Sequence, residues 1–252
     1  MDVTKQSKKL PVLRIFKDAV IKPSKAWKRM SIALSFTGLS MIFLQVTASA
    51  GILNKGIFVN ILYMAIYAAL FILFAITTHR SILLGINETP KYAVIEWKWR
   101  EWRYVGWALV AYFYLYALMA LTRMVVGVIS PIFPSIDGIS FYGVLFVISF
   151  LPGMYVFARL SLVFPAAAID QAVSWDWVWE ITEGNGLRLV LIIGLFPALL
   201  SIVPALLAGV HFLLDTILIL LGIVLLAMEI TALSLSFMYL SEKSKLSEDL
   251  NG

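Results

Sequence analysis

Long apolar stretches dominate the chain, and the polar positions are gathered between them. Each of six windows holds about 20 apolar residues or more with few charges, the length that a helix needs to cross a hydrocarbon core of roughly 30 Å. In lipid the backbone must satisfy its own hydrogen bonds, so each window is predicted to be a transmembrane α-helix. The pattern predicts an all-α, polytopic membrane protein with spans at residues 31–51, 56–77, 104–128, 139–160, 187–210 and 214–240.

Segments 12–20, 91–103 and 174–183 place apolar side chains at helical spacing opposite charged ones, as in helices that lie at a membrane surface. Arg100 and Glu101 point away from the apolar side of the second segment, and Ser24 and Ser174 are good N-cap residues. We therefore predict amphipathic interfacial helices beside the six spans. The apolar side of the second segment consists of Tyr92, Ile95, Trp99 and Trp102.

The basic residues and the tryptophans indicate the same orientation. Nine of the 20 Lys and Arg residues precede residue 30, and nine more lie in or at the edges of the segments after the second, fourth and sixth windows, so that the segments on the opposite side hold only Lys55. An excess of positive charge marks cytoplasmic segments, so both termini are predicted to be cytoplasmic. Indole rings favour the head-group level of the membrane. The predicted interface anchors are Trp27, Trp97, Trp99, Trp102, Trp107, Trp175, Trp177 and Trp179.

The chain then divides into a basic amphipathic segment (1–30), a six-span domain (31–240) and a cytoplasmic tail (241–252). It contains no cysteine, and its two histidines lie far apart, so we expect no catalytic residues, no metal site and no cofactor. The net charge of +5 is concentrated beside the first span. It predicts binding to anionic lipid head groups rather than to nucleic acid. A membrane-protein partner or a homo-oligomer remains open.

Three polar side chains inside the predicted spans are candidates for a functional site. Glu229 is about halfway through the sixth span, Gln45 is at a similar depth in the first, and Arg123 is in the outer third of the third. An ionised carboxylate at that depth costs on the order of 3 kcal/mol. Either these side chains line a path for a proton or a small polar solute, or Glu229 is protonated or forms a hydrogen bond with Gln45, Ser234 or a neighbouring helix and so holds helices together.

Four carboxylates lie close together after the fourth window. Asp176, Glu180 and Glu183 share a helical face, and Asp170 is near them in sequence. Such a face is expected to be solvated or to pair with the basic N-terminal segment; binding of a divalent cation is the alternative.

Residues 159–168 (RLSLVFPAAA) and 174–189 (SWDWVWEITEGNGLRL) resemble a group of bacterial inner-membrane proteins. The group includes the YciC-like proteins and the membrane domains of glycerophosphoryl diester phosphodiesterases. Val178 and Glu183 replace an alanine and a basic residue of the usual pattern. The resemblance implies a multi-span bundle in the bacterial inner membrane and no activity. Its motif positions include Arg159, Pro165, Ser174, Trp179, Thr182, Gly184, Asn185 and Arg188.

The sequence favours a non-enzymatic inner-membrane protein with a structural, lipid-organising or partner-binding role. The observation behind this prediction is a one-sided set of basic and indole side chains without a recognisable catalytic set. The alternative is a small transporter or channel with a polar site around Glu229 and Gln45.

Overall fold

The computed structural model describes residues 9–25, 27–51, 56–85, 97–129, 138–207, 209 and 211–249. Helices and turns make up these residues, and six helices are long and apolar enough to cross a membrane. The protein is therefore an all-α, multi-pass membrane protein, and the prediction of six spans is confirmed. Residues 91–96 of the second amphipathic segment and the side chain of Trp27 lie outside the described part.

The spanning helices form three successive hairpins. The first pairs α2 (Trp27–Ser49) with α3 (Ile57–Leu83), and the second pairs α4 (Trp99–Ile129) with α5 (Gly138–Leu160). The third pairs a composite span with α10 (Phe212–Asp249). That composite span is α8 (Gly186–Val190), a π-helical segment (Leu191–Leu195) and α9 (Phe196–Leu207). Three shorter helices do not span: α1 (Val12–Lys25), α6 (Val163–Ala168) and α7 (Trp175–Ile181).

Both ends of the described chain lie at the same end of the bundle. The Tyr239 hydroxyl near the end of α10 donates to the Lys9 carbonyl oxygen at 3.4 Å. The short helices α1, α6 and α7 contact α10 there. We call this end, with the turns after α3 and α5, the basal end. The distal end contains the turns at Gly51 and Gly209.

Helix α1 is amphipathic, and it packs against the bundle. Ile15 and Ala19 are buried, and the Phe16 ring stacks on Phe196 with 4.2 Å between centroids. Leu13 is 84% exposed. The helix therefore buries one apolar side in protein and leaves another for the bilayer, where an apolar side chain is equally stable.

The start of α4 buries a carboxylate that was predicted to face away from the apolar side of its segment. Glu101 is buried, although its pattern places it in water, and it begins a row of buried residues that continues one turn later at Tyr104. Trp99 and Trp102 are 75% and 58% exposed. The prediction for Glu101 was wrong because Arg100 and the Lys98 N–H supply hydrogen bonds that make burial of its carboxylate possible.

The π-helical segment ends two residues before Pro197, the first of the two prolines in the composite span. The ring of Pro197 would clash with the carbonyl of residue 193 in a regular α-helix, because proline crowds the carbonyl four positions earlier. Residue 193 lies inside the π-helical segment Leu191–Leu195, whose wider turn relieves this crowding. The span thus passes Pro197 without a break.

Candidate functional site

The motif residues of the fourth and fifth spans meet at the basal end. Arg159, in the last turn of α5, donates from Nε to the Thr182 hydroxyl at 2.6 Å and from an Nη to the Trp179 carbonyl oxygen at 2.5 Å. Its guanidinium also lies over the Trp179 ring, 3.7 Å from the centroid. A planar cation with several donors can form these bonds and stack at once. Arg159 therefore joins the end of α5 to α7.

The other motif residues shape the chain between these helices. Pro165 lies in the first turn of α6, where its missing N–H has no helical partner to lose. Ser174 caps α7 by accepting from the Trp177 N–H at 3.2 Å, as predicted. Ser24, by contrast, lies within α1, and that prediction was wrong. Gly184 has φ +71°, a conformation that favours glycine, and it turns the chain toward α8.

Asn185 and Arg188 bind the backbone of the N-terminal segment. The Leu10 N–H donates to the Asn185 side-chain oxygen at 2.7 Å, and Arg188 donates to the Leu10 carbonyl oxygen at 2.7 Å. Asn185 and Leu10 are both fully buried. The motif thus holds α1 against the bundle, and in this structure its role is to join segments.

We expect Asn185→Ala to loosen α1 without unfolding the bundle. The change leaves the buried Leu10 N–H without its acceptor, which costs about 1–2 kcal/mol. Hydrogen exchange of residues 10–19 should accelerate by roughly tenfold. Asn60→Ala, at an exposed position of α3, is the control. Unchanged exchange in α1 would show that Asn185 does not hold the segment.

Asp170 pairs with arginines from two other helices, whereas it was expected to be solvated or to pair with the basic N-terminal segment. Its carboxylate lies 2.7 Å from Arg103, 3.4 Å from Arg100 and 3.5 Å from Arg80. Arg80 also donates to the Ala168 carbonyl oxygen at 3.0 Å, at the end of the buried helix α6. The cluster thus joins the end of α6 to the end of α3 and to the start of α4. The three other carboxylates of the acidic face (Asp176, Glu180 and Glu183) are exposed.

The tryptophans fall into two groups at the basal end. Trp97, Trp99 and Trp102 at the start of α4 are exposed, as an interface anchor would be. The others with described side chains are partly buried and pack inside the protein: Trp107, Trp175, Trp177 and Trp179. Four of the eight predicted anchors thus pack partly against other parts of the protein.

Glu229 and Gln45 line one cavity, which we call the distal cavity. It measures about 840 Å³ and lies between α2, α3, α9 and α10, reaching from the distal turn at Gly209 to Glu229. Gln45 donates to the Tyr67 hydroxyl at 2.6 Å. Arg123, the third predicted member, is exposed on α4 and does not line this cavity. Arg123 lies apart from Glu229 and Gln45 because α4 packs mainly on α5 and α6, away from α2.

Glu229 also lines a second cavity, which we call the central cavity. It measures about 370 Å³ and extends between α3, α4, α5 and α10 to His79 near the basal end. Phe71, Leu226 and Glu229 line both cavities. Among the residues that the structure describes, Glu229 has no hydrogen-bond or ion-pair partner. The carboxylate therefore lies where the two spaces meet.

His79 is a polar residue of this region that the sequence patterns missed. It is fully buried, and its Nδ1 lies 2.7 Å from the Ser234 hydroxyl oxygen. That hydroxyl donates to the Ile230 carbonyl oxygen, so its oxygen accepts from the His79 Nδ1–H. Nε2 is buried and has no partner among the described atoms. His79 directly follows an apolar window, where polar residues of a cytoplasmic segment are expected, so the sequence did not single it out.

No model of a known protein family matches the chain, and comparisons with curated proteins and with solved structures gave no match either. The resemblance of residues 159–189 to the YciC-like group thus stays a prediction. A metal site would require three or more His, Asp or Glu side chains close together, and the described part of the chain contains no such group. The two cavities and the carboxylate between them are the strongest functional feature of the molecule.

Proposed function

We propose that this multi-pass protein is a small transporter or channel of the bacterial inner membrane. Its path runs from the distal cavity past Glu229 into the central cavity. The supporting observation is that Glu229 lines both cavities and is without a partner among the described residues. Gln45, which the sequence placed at a similar depth, lines the same path and donates a hydrogen bond to Tyr67 there.

The alternative role for Glu229, as a hydrogen bond between helices, has less support. Gln45 and Ser234, its two candidate partners, are bonded to Tyr67 and His79 instead. A carboxylate held in the apolar part of a span costs on the order of 3 kcal/mol, so such residues mark paths for ions and solutes. On this ground we favour transport over the structural role that the sequence patterns favour.

The basal end is the cytoplasmic end in this proposal. It contains both ends of the described chain and the arginines around Asp170, as the positive-inside rule requires. The distal cavity then opens toward the periplasm. His79 lies at the basal end of the central cavity, on the cytoplasmic side of Glu229 in this proposal.

Glu229→Gln tests the proposal, because it removes the charge and keeps the size. In liposomes with an imposed potential, the wild-type protein should speed proton entry, read by internal pyranine, or the swelling of the liposomes in ammonium, tetraethylammonium or glycerol gradients. We expect Glu229→Gln to reduce that flux by roughly tenfold or more. Glu180→Gln, on the exposed side of α7, is the matched control. Equal fluxes for wild type and Glu229→Gln in all four assays would refute transport through this site.

A second role, lipid binding, is favoured by a separate observation. An apolar groove of about 450 Å³ lies between α1, α2 and α10, and the nearby Lys22 and Lys28 are exposed. The groove suits an acyl chain, and the lysines suit an anionic head group. In native mass spectrometry, phosphatidylglycerol should stay bound and Lys22→Glu/Lys28→Glu should release it. Equal retention of phosphatidylcholine would count against this role.

A further inference from the structure

We infer that the distal cavity binds an organic monocation whose substituents are apolar, either aromatic or aliphatic. This inference rests on the proposed function and specifies its substrate class. It comes from three properties of the cavity wall: the sign of its charge, its aromatic faces and its shortage of converging oxygen ligands.

The charged side chains of the wall are acidic. Asp215 lies in the first turn of α10 near the mouth, where it also accepts from the Gly209 N–H at 2.8 Å. Glu229 lies at the inner end, 14 residues further along the helix, which corresponds to about 21 Å. Among the described lining residues there is no Lys, Arg or His. The wall therefore attracts cations at both ends and offers nothing to neutralise an anion.

Three aromatic rings of α3 line the same space. Tyr63, Tyr67 and Phe71 are four residues apart, so they follow one face of the helix. The first two rings are stacked with 6.1 Å between their centroids. The bond from Gln45 to the Tyr67 hydroxyl fixes the second ring. The face of an aromatic ring attracts a cation, most strongly where water is excluded.

The remaining wall is mostly apolar and includes Leu218, Ile223 and Leu226. A small metal cation needs about six or more oxygen ligands around it. The described wall supplies two separated carboxylates and a few hydroxyl and amide groups instead. A volume of about 840 Å³ is that of a site for a drug-sized molecule. The geometry therefore favours a bulky cation with apolar substituents over a metal ion.

Tetraphenylphosphonium and tetraphenylborate test this inference, because they have nearly the same size and shape and opposite charge. Binding is measured by calorimetry with the purified full-length protein in detergent, where no gradient is needed. The wild type should bind the phosphonium at least roughly tenfold more tightly than the borate. Glu229→Gln should weaken phosphonium binding by roughly tenfold, and Glu180→Gln should leave it unchanged.

Tyr67 provides an independent pair of variants. Tyr67→Phe keeps the ring face and should retain most of the phosphonium affinity, whereas Tyr67→Leu should lose several-fold. Equal affinity for the two ions, or full phosphonium binding by folded Glu229→Gln, would overturn the inference. Flux past Glu229 in liposomes without phosphonium binding would refute the cation site and leave transport standing. Phosphonium binding without any flux would refute transport and leave the cation site standing.

Discussion

Glu101→Ala is expected to lower the free energy of unfolding by about 3 kcal/mol, because it leaves the largely buried Arg100 with only the more distant carboxylate of Asp170 as a partner. The Glu101 side chain is 2% exposed and accepts from two nitrogens of Arg100, at 2.9 and 3.2 Å. Its other oxygen accepts from the Lys98 N–H at 2.8 Å, which caps the start of α4. Alanine would remove all three bonds.

Titration with SDS in mixed micelles measures this loss. Glu180→Ala is the matched control, since that glutamate is exposed on α7 and should change stability by less than about 0.5 kcal/mol. Glu101→Gln should fall between the two, because an amide oxygen can still accept from Lys98 but carries no charge. A loss under about 1 kcal/mol for Glu101→Ala would show that water replaces the carboxylate and that α4 is not anchored there.

Arg159→Lys is expected to cost about 2 kcal/mol despite the retained charge. Arg159 forms hydrogen bonds with the Thr182 hydroxyl and the Trp179 carbonyl oxygen while it stacks on the Trp179 ring. An ammonium group is compact, so it cannot reach both acceptors from the position above the ring.

Thermal unfolding in detergent, together with hydrogen exchange in α7, measures the effect of Arg159→Lys. Exchange in residues 175–182 should accelerate before the whole bundle unfolds, because the arginine joins that helix to α5. Arg123→Lys, at an exposed position of α4, is the matched control and should leave both readouts unchanged. If Arg159→Lys behaves as this control does, the arginine's shape is not what holds α7.

The candidate site was only partly accessible from the sequence. Glu229 and Gln45 stand out because polar side chains are rare in apolar windows, and both line the distal cavity. Arg123 meets the same criterion but lies on α4, outside the cavity. Tyr63 and Tyr67 line the cavity wall, yet tyrosine is common in membrane spans, so their spacing drew no attention.

The number of spans and the shape of the α7 cap could be predicted from local sequence alone. An apolar window long enough to cross the bilayer has to be helical, since lipid offers its backbone no other partners. Likewise, Ser174 caps the next helix through atoms only three residues away. Such features depend on neighbouring residues and on the bilayer, so they need no knowledge of packing.

Which side of each span faces inward was decided only by the tertiary structure. In water, apolar side chains must turn inward, but in a bilayer they are equally stable against lipid, so the hydrophobic pattern does not distinguish the two faces. Glu101 is therefore buried while Trp99 is exposed, and Asp170 meets arginines about 70 to 90 residues away. The cavities on either side of Glu229 likewise exist only once all six spans are packed together.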